Sequence, residues 1–158
     1  MMIETERKYK VTGDFQSKAV RTQYITQGYL CTDPERTVRV RIAGDRACLT
    51  IKGPADEKGW SRYEFEQPVA VADATELLKL CAGSVIEKVR HYVPHGTHVW
   101  EVDVFCGDNE GLQIAEIELA SEQEAFDKPS WAGEEVTGDA RYYNAMLARV
   151  PYNRWNSK

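Results

Sequence analysis

The stretch Ile3-Glu4-Thr5-Glu6-Arg7-Lys8-Tyr9-Lys10-Val11 lies near the start of the sequence. As a strand it places Glu4, Glu6, Lys8 and Lys10 on one face and Ile3, Tyr9 and Val11 on the other, because successive side chains alternate. One face therefore carries two acids followed by two bases. Taken alone, this is either a solvated edge defended by charge against aggregation or a wall built for a charged ligand. Repetition separates the two. In Thr37-Val38-Arg39-Val40-Arg41-Ile42 the apolar residues share one face and the arginines the other. Leu49-Thr50-Ile51-Lys52 sets Lys52 opposite Leu49 and Ile51, and Tyr63-Glu64-Phe65-Glu66 pairs two acids. Lys88-Val89-Arg90 pairs two bases, while Glu101-Val102-Asp103-Val104 and Ala115-Glu116-Ile117-Glu118-Leu119 each pair two acids. Six further segments thus turn apolar residues one way and charges the other.

In an open sheet the charged face would simply meet water. In a closed barrel the apolar face turns outward under helices and the charged face lines a tunnel. Closure is favoured by the runs of like sign, basic on some strands and acidic on others, where a soluble surface intersperses its charges.

The remaining pattern fits around these strands. Phe15 to Gln23 reads as a short helix, and Tyr24 to Leu30 as a strand with a bulge at Gly28. Strands at about 36–43 and 46–52 are joined by Gly44-Asp45, which is hairpin chemistry. Another runs from Trp60 to Gln67, where Pro68 stops it. Asp73 is a candidate N-cap for an amphipathic helix reaching Cys81. Strands at about 86–94 and 97–106 form a hairpin around His95-Gly96, and Leu112 to Leu119 is the last strand. Ser121 with Glu124 three residues later resembles a capping box and predicts a short helix. Lys128 to Gly133 reads as irregular, and Arg141 to Arg149 as a helix ended by Pro151. The fold class is α+β, mainly β: an eight-stranded antiparallel β-barrel with flanking helices and a C-terminal helix near one tunnel mouth.

With 158 residues the chain has room for one domain with a real core, taken as residues 1–158. A net charge of −5 argues against a generic binder of nucleic acid or anionic membrane, though not against a locally basic pocket. There is no long apolar run and no basic-then-apolar leader, so a cytoplasmic protein without a membrane association is expected. Cys31, Cys48, Cys81 and Cys106 are far apart, with no CxxC pair, and read as buried free thiols. His91, His95 and His98 cluster, but around a hairpin turn, and a solvated hairpin accounts for them as well as a metal does.

If the strands close, the lining holds the bases Lys8, Lys10, Arg39, Arg41, Lys52, Lys88 and Arg90 with the acids Glu4, Glu6, Glu64, Glu66, Glu101, Asp103, Glu116 and Glu118. Desolvating so many ions costs several kcal/mol each, and pairing often only breaks even. Arginine forks and lysine ammoniums suit a phosphate chain. Closely set carboxylates suit Mg²⁺ or Mn²⁺, which would bridge them to phosphate oxygens. The combination points to metal-assisted phosphoryl transfer or hydrolysis; the competing reading is a lattice of internal salt bridges.

Glu4-Thr5-Glu6-Arg7-Lys8 resembles the ExExK signature of the CYTH domain, or triphosphate tunnel metalloenzyme, superfamily. The segments quoted above follow in that family's order, and so does the tail Glu135-Val136-Thr137-Gly138-Asp139 with Arg141-Tyr142-Tyr143-Asn144. The resemblance implies an eight-stranded tunnel, divalent-metal dependence and a triphosphate substrate. It also implies that Glu4, Glu6, Glu116 and Glu118 hold metal while Lys8, Arg39, Arg41, Lys52, Lys88 and Arg90 grip phosphates. Lys10 joins the substrate-binding set, and Glu64, Glu66, Glu101 and Asp103 support it. Tyr29 is a candidate catalytic residue with Lys8, its hydroxyl beside the ammonium; contact with phosphate or wall packing is the alternative. Tyr142 and Tyr143 either close a tunnel mouth or pack in the core.

The short chain is most similar to bacterial-type members acting on inorganic triphosphate. Thiamine triphosphatase and class IV-type adenylate cyclase activities occur in the same superfamily, and Trp60 and Trp131 offer stacking surfaces for a purine. A non-catalytic polyphosphate-binding module has no use for the acids. A small-molecule triphosphate or nucleotide is the expected partner, with no nucleic acid, and a homodimer is allowed.

Overall fold

The computed structural model describes residues 2–156. Strands β1 (Ile3–Val11), β2 (Arg21–Cys31), β3 (Thr37–Ala43), β4 (Arg46–Lys52), β5 (Ser61–Val69), β6 (Ala82–His95), β7 (His98–Phe105) and β8 (Gln113–Leu119) carry the alternating segments. A short β9 (Ala132–Glu135) and helices α1 (Val71–Leu78) and α2 (Asn144–Arg149) complete the elements used below. The order is β5-β4-β3-β2-β6-β7-β8-β1-β9, and a β5–β1 pairing closes eight of the strands into an antiparallel barrel. Closure depends on β1 changing partners along its length. Ile3, Glu4 and Thr5 pair with β5, Thr5 to Lys10 with β8, and Tyr9 and Val11 with β9.

The apolar faces turn outward. Val40, Ile42, Ala47, Leu49 and Val69 pack against Ala74, Leu77 and Leu78 of α1. On the opposite wall Tyr9, Val93, Trp100, Val102, Ala115 and Ile117 bury against Phe15 and Trp131. Ile86, Phe105 and Ile114 share the parity of the lining charges and, with Leu112, meet Tyr142, Ala145 and Leu147, so that α2 and the turn before it pack against the inner face at one end of the barrel. With the outward parity consumed by the first two layers, the charged parity faces inward.

Several local expectations are corrected. Residues 15–23 hold one 3-10 turn, Gln16–Lys18, because β2 already pairs from Arg21 with Tyr92. Pro68 does not stop β5: it stands opposite Cys48, beyond the three β5 residues that pair with β1, so no donor is required of it there. Ser121 starts a turn and no helix; Glu124 instead accepts the Ala120 N–H and contacts His98 Nε2. The stretch read as irregular, Lys128 to Gly133, runs into β9, which begins at Ala132 and pairs with the edge of β1. α1 begins at Val71 with no side-chain cap, and α2 begins at Asn144 after a 3-10 turn capped by Asp139. His95 and His98 pair across the β6–β7 turn. All four cysteines are unpaired thiols, half-buried where full burial was expected. No helix among the described residues is long and apolar enough to cross a membrane.

Candidate active site

The inward faces enclose a cavity of about 300 Å³. Lys8, Arg39, Arg41, Lys52, Lys88 and Arg90 line it, together with Glu4, Glu6, Glu64, Glu66, Glu101, Glu116, Glu118 and Tyr29. Two expected lining residues are not among them. Lys10 has the right parity but lies where β1 has passed on to β9, and it pairs with Glu134 at 3.0 Å beside the Tyr142 ring. Asp103 has the inward parity but is fully buried, its oxygens shared between Arg90 and Lys88.

The register explains that second cluster. Arg90 stands opposite Asp103 on neighbouring strands, and its Nε and Nη2 donate to the two carboxylate oxygens at 2.8 and 3.0 Å. Lys88 Nζ reaches the same carboxylate at 2.8 Å. Against burial, which would raise it, Lys88 and Arg90 hold the Asp103 carboxyl well below the usual range. Lys88 goes the other way, down to about 7. Burial is the main cause, and Arg90 and Arg41 add to it while Asp103 opposes it. Burial, then the like charges of Arg39 and Arg90, bring Arg41 down to about 10. Three cations around one carboxylate leave an unmet demand for negative charge, which phosphate oxygens would supply.

On the β1–β8 wall the imbalance reverses. Glu6 stands directly opposite Glu118 and Lys8 opposite Glu116. Lys8 Nζ lies 3.3 Å from Glu116 and 3.8 Å from Glu6, while Lys52 Nζ lies 2.8 Å from Glu4 and 3.4 Å from Glu64. Burial, and then the Glu116 charge, push Glu6 up to about 7. Burial followed by Glu4 raises Glu118 as well. Glu116 is carried the opposite way, to about 2: burial would raise it, but Lys8, Arg90 and Lys88 together outweigh that. Among the described residues no three such side chains converge on a common point that could hold a metal ion; Lys8 and Lys52 pair with Glu116 and Glu4 instead. Yet four hard oxygen donors, three of which (Glu4, Glu6 and Glu118) are held above the ordinary carboxylate value chiefly by burial, have the chemistry that a small divalent cation takes.

Sequence reasoning missed several side chains here. Arg62 lines the cavity from β5; the alternation seen from Tyr63 to Glu66 runs back to it, so the signal was present. Thr50, buried on β4, accepts from Arg39 at 3.0 Å and donates to Glu66 at 3.1 Å. Asn144 lines the cavity from α2; the tail segment Arg141-Tyr142-Tyr143-Asn144 ends on it, but residue type and spacing there point to no role. Of the two C-terminal tyrosines, Tyr143 faces the cavity with its ring 5.6 Å from Lys8 Nζ, whereas Tyr142 is core. Tyr29 lines the cavity from β2, opposite Arg39 in register. Neither candidate stacking tryptophan reaches the cavity. Trp131 is buried against Trp100 and Phe15, and Trp60 lies under Arg7 at 4.5 Å.

Comparison with known proteins fits this geometry. A family model described as the CYTH domain matches residues 2–144. The chain belongs to the CYTH domain family. The inorganic triphosphatase of Acetivibrio thermocellus is 44% identical to this CYTH protein over 153 residues, 96% of this chain and 97% of the relative. That of Nitrosomonas europaea is 37% identical over 152 residues, covering 93% and 97%. A crystal structure of the inorganic triphosphatase NE1496 matches with a TM-score of 0.67 at 33% identity, over 94% of this CYTH chain and 95% of that one.

Proposed function

We infer that this CYTH protein is a divalent-metal-dependent hydrolase that splits inorganic triphosphate into pyrophosphate and phosphate inside the barrel. The observation that carries the reading is that clustered carboxylates and clustered cations face one enclosed cavity of about 300 Å³. The near-full-length likeness to two inorganic triphosphatases selects the substrate. A pure anion binder would need the cations and would be hindered by the acids.

Glu4, Glu6, Glu116 and Glu118 would hold Mg²⁺ or Mn²⁺, which when bound screens phosphate charge and makes a bound water a better nucleophile. Arg39, Arg41, Lys52, Lys88 and Arg90 grip the non-bridging oxygens and stabilise charge that builds on the leaving pyrophosphate. Against its burial, the charges of Glu116 and Glu6 raise Lys8 above its ordinary value, so it remains a cation at the reacting end. Tyr29 presents its hydroxyl from the facing wall as a hydrogen-bond partner for the reacting phosphate. Thr50 and Asp103 hold Arg39, Arg90 and Lys88 in place before substrate arrives, which limits the reorganisation left for the reaction itself.

The test is release of phosphate and pyrophosphate from tripolyphosphate, ATP and thiamine triphosphate with Mg²⁺ or Mn²⁺, cyclic AMP being assayed in the ATP reaction. Equimolar phosphate and pyrophosphate from tripolyphosphate, abolished by chelation and by Glu4→Gln, is the expected result. Cyclic AMP from ATP as the dominant product, or no turnover of any triphosphate with either metal, would sink the assignment.

A further inference from the structure

Arg41, Lys88 and Asn144, which line the cavity, are joined through the buried Gln27 by a hydrogen-bond chain that no catalytic assignment uses. Arg41 Nε donates to Gln27 Oε1 at 2.8 Å, Gln27 Nε2 donates to Asn144 Oδ1 at 2.7 Å, and Lys88 Nζ donates to the same Oδ1 at 2.9 Å. Gln27 is fully buried. The direction of every bond is forced. Arginine and protonated lysine can only donate, so Gln27 must turn its oxygen to Arg41 and its amide nitrogen to Asn144, whose oxygen must accept twice. The Asn144 amide nitrogen is then the group left over, on a residue that lines the cavity.

A chain with these ends does more than fill space. Arg41 comes from β3 and Lys88 from β6, two strands separated by β2. Gln27 spans them from β2 and Asn144 closes the arc from α2. Arg41 therefore depends on this amide pair for its direction, and Lys88 depends on it together with Asp103. A glutamine and an asparagine are the neutral choice. A carboxylate at either position would pair with the cations and compete with an anionic ligand, and an apolar residue would leave buried donors without acceptors.

We propose that Gln27 and Asn144 are positioning residues of the triphosphate site, aiming Arg41 and Lys88 at the phosphates and tying that array to the seat of α2, with the Asn144 amide nitrogen left to donate to a phosphate oxygen. This rests on the triphosphate reading above. The charged groups around Lys88 are Asp103 on β7, Arg90 on β6, Arg41 on β3 and Glu116 on β8. Burial, with the two arginines, already pushes Lys88 down to about 7, so its charge is sensitive to what Asn144 presents.

The experiment measures tripolyphosphate binding by calorimetry with Mg²⁺, alongside steady-state turnover, for wild type, Gln27→Leu, Asn144→Ala, the double variant and Asn144→Asp. Circular dichroism and melting check that each folds. Expected is a loss of affinity of about tenfold for each single neutral variant, the order for one hydrogen bond to a charged group. The double variant should be little worse than either single one, because both cut the same chain. Asn144→Asp should bind more weakly than Asn144→Ala, and the alkaline decline of its affinity should move to higher pH as the new carboxylate raises Lys88. Variants that melt lower yet bind tripolyphosphate as wild type does would overturn the proposal by showing a packing role only. Strictly additive losses, or an unshifted pH profile in Asn144→Asp, would also overturn it. Binding without turnover in wild type would instead count against the hydrolase reading and leave the relay to be decided by affinity; no binding at all would end both.

Discussion

Arg62 sits on the cavity wall with its guanidinium carbon 5.3 Å from the Tyr143 ring, and no ion pair holds it among the described residues. A cation stacked on an aromatic face and otherwise unspent is available to substrate. Replacing it with alanine should raise the KM for tripolyphosphate about tenfold and leave the melting temperature nearly unchanged, since no ion pair is lost. An unaltered KM would mean that Arg62 only covers Tyr143. Lys88 makes the opposite case, a cation whose charge the fold itself opposes. Its ordinary value is 10.5 and burial takes it to about 7, so between those values the unfolded chain holds a proton that the folded chain has released. Stability then rises with pH across that window. Urea unfolding at pH 7, 8 and 9 should show wild type gaining on Lys88→Met as pH increases. A constant difference would show that Asp103 keeps Lys88 charged throughout. At this scale parity alone identified the lining charges. It could not say that the register would exhaust Asp103 on Arg90, or that the wall ends before Lys10, because both depend on which strand lies alongside.

The seat of α2 depends on how closely β6 lets it approach. Gly83, the second residue of β6, has φ +70°, and a Cβ there would come within 2.2 Å of the Ala148 carbonyl oxygen on α2. Gly83→Ala combines a left-handed backbone with a backbone clash, so it should destabilise the fold by about 2–4 kcal/mol. For a chain of this size that is a fall of roughly 5–15 °C in melting temperature. Because α2 carries Asn144 and Tyr143 into the cavity wall, the KM for tripolyphosphate should rise with it. Melting curves and steady-state kinetics on the same preparation check both parts; a loss of stability with KM intact would separate the helix from the site. The strands were legible in the sequence because their alternation runs on, interrupted in β2 only around Gly28, and so was the hairpin at Gly44. The helix expected at 15–23 was not formed because strand pairing with β6 claims the chain from Arg21. β9 left no period to read: its four residues, Ala132–Glu135, pair with β1 only after the barrel has bent that strand away from β5.

Across the whole cavity the charges cancel. Lys8, Arg39, Arg41, Lys52, Arg62, Lys88 and Arg90 are seven cations, and Glu4, Glu6, Glu64, Glu66, Glu101, Glu116 and Glu118 are seven carboxylates lining the same space. A triphosphate entering alone would bring several negative charges into a cavity with no net positive charge to receive them, in a setting where screening is weak. Ionisation is already strained on the β1–β8 wall, where burial and Glu116 hold Glu6 near 7. Entry of the anion is therefore expected to require a divalent cation with it. This makes ligand and metal mutually stabilising, and the coupling is measurable as a shift in melting temperature, wild type being compared with Glu4→Gln. With Mg²⁺ and tripolyphosphate at about a hundred times the dissociation constant, mass action contributes roughly 2.7 kcal/mol. That corresponds to a rise of about 5–10 °C in the melting temperature of wild type. Tripolyphosphate with a chelator, or Mg²⁺ without tripolyphosphate, should each give only a small part of that shift, and Glu4→Gln should lose the synergy. A full shift from tripolyphosphate alone would show that the cations act independently of the acids, which is the behaviour of an anion-binding module.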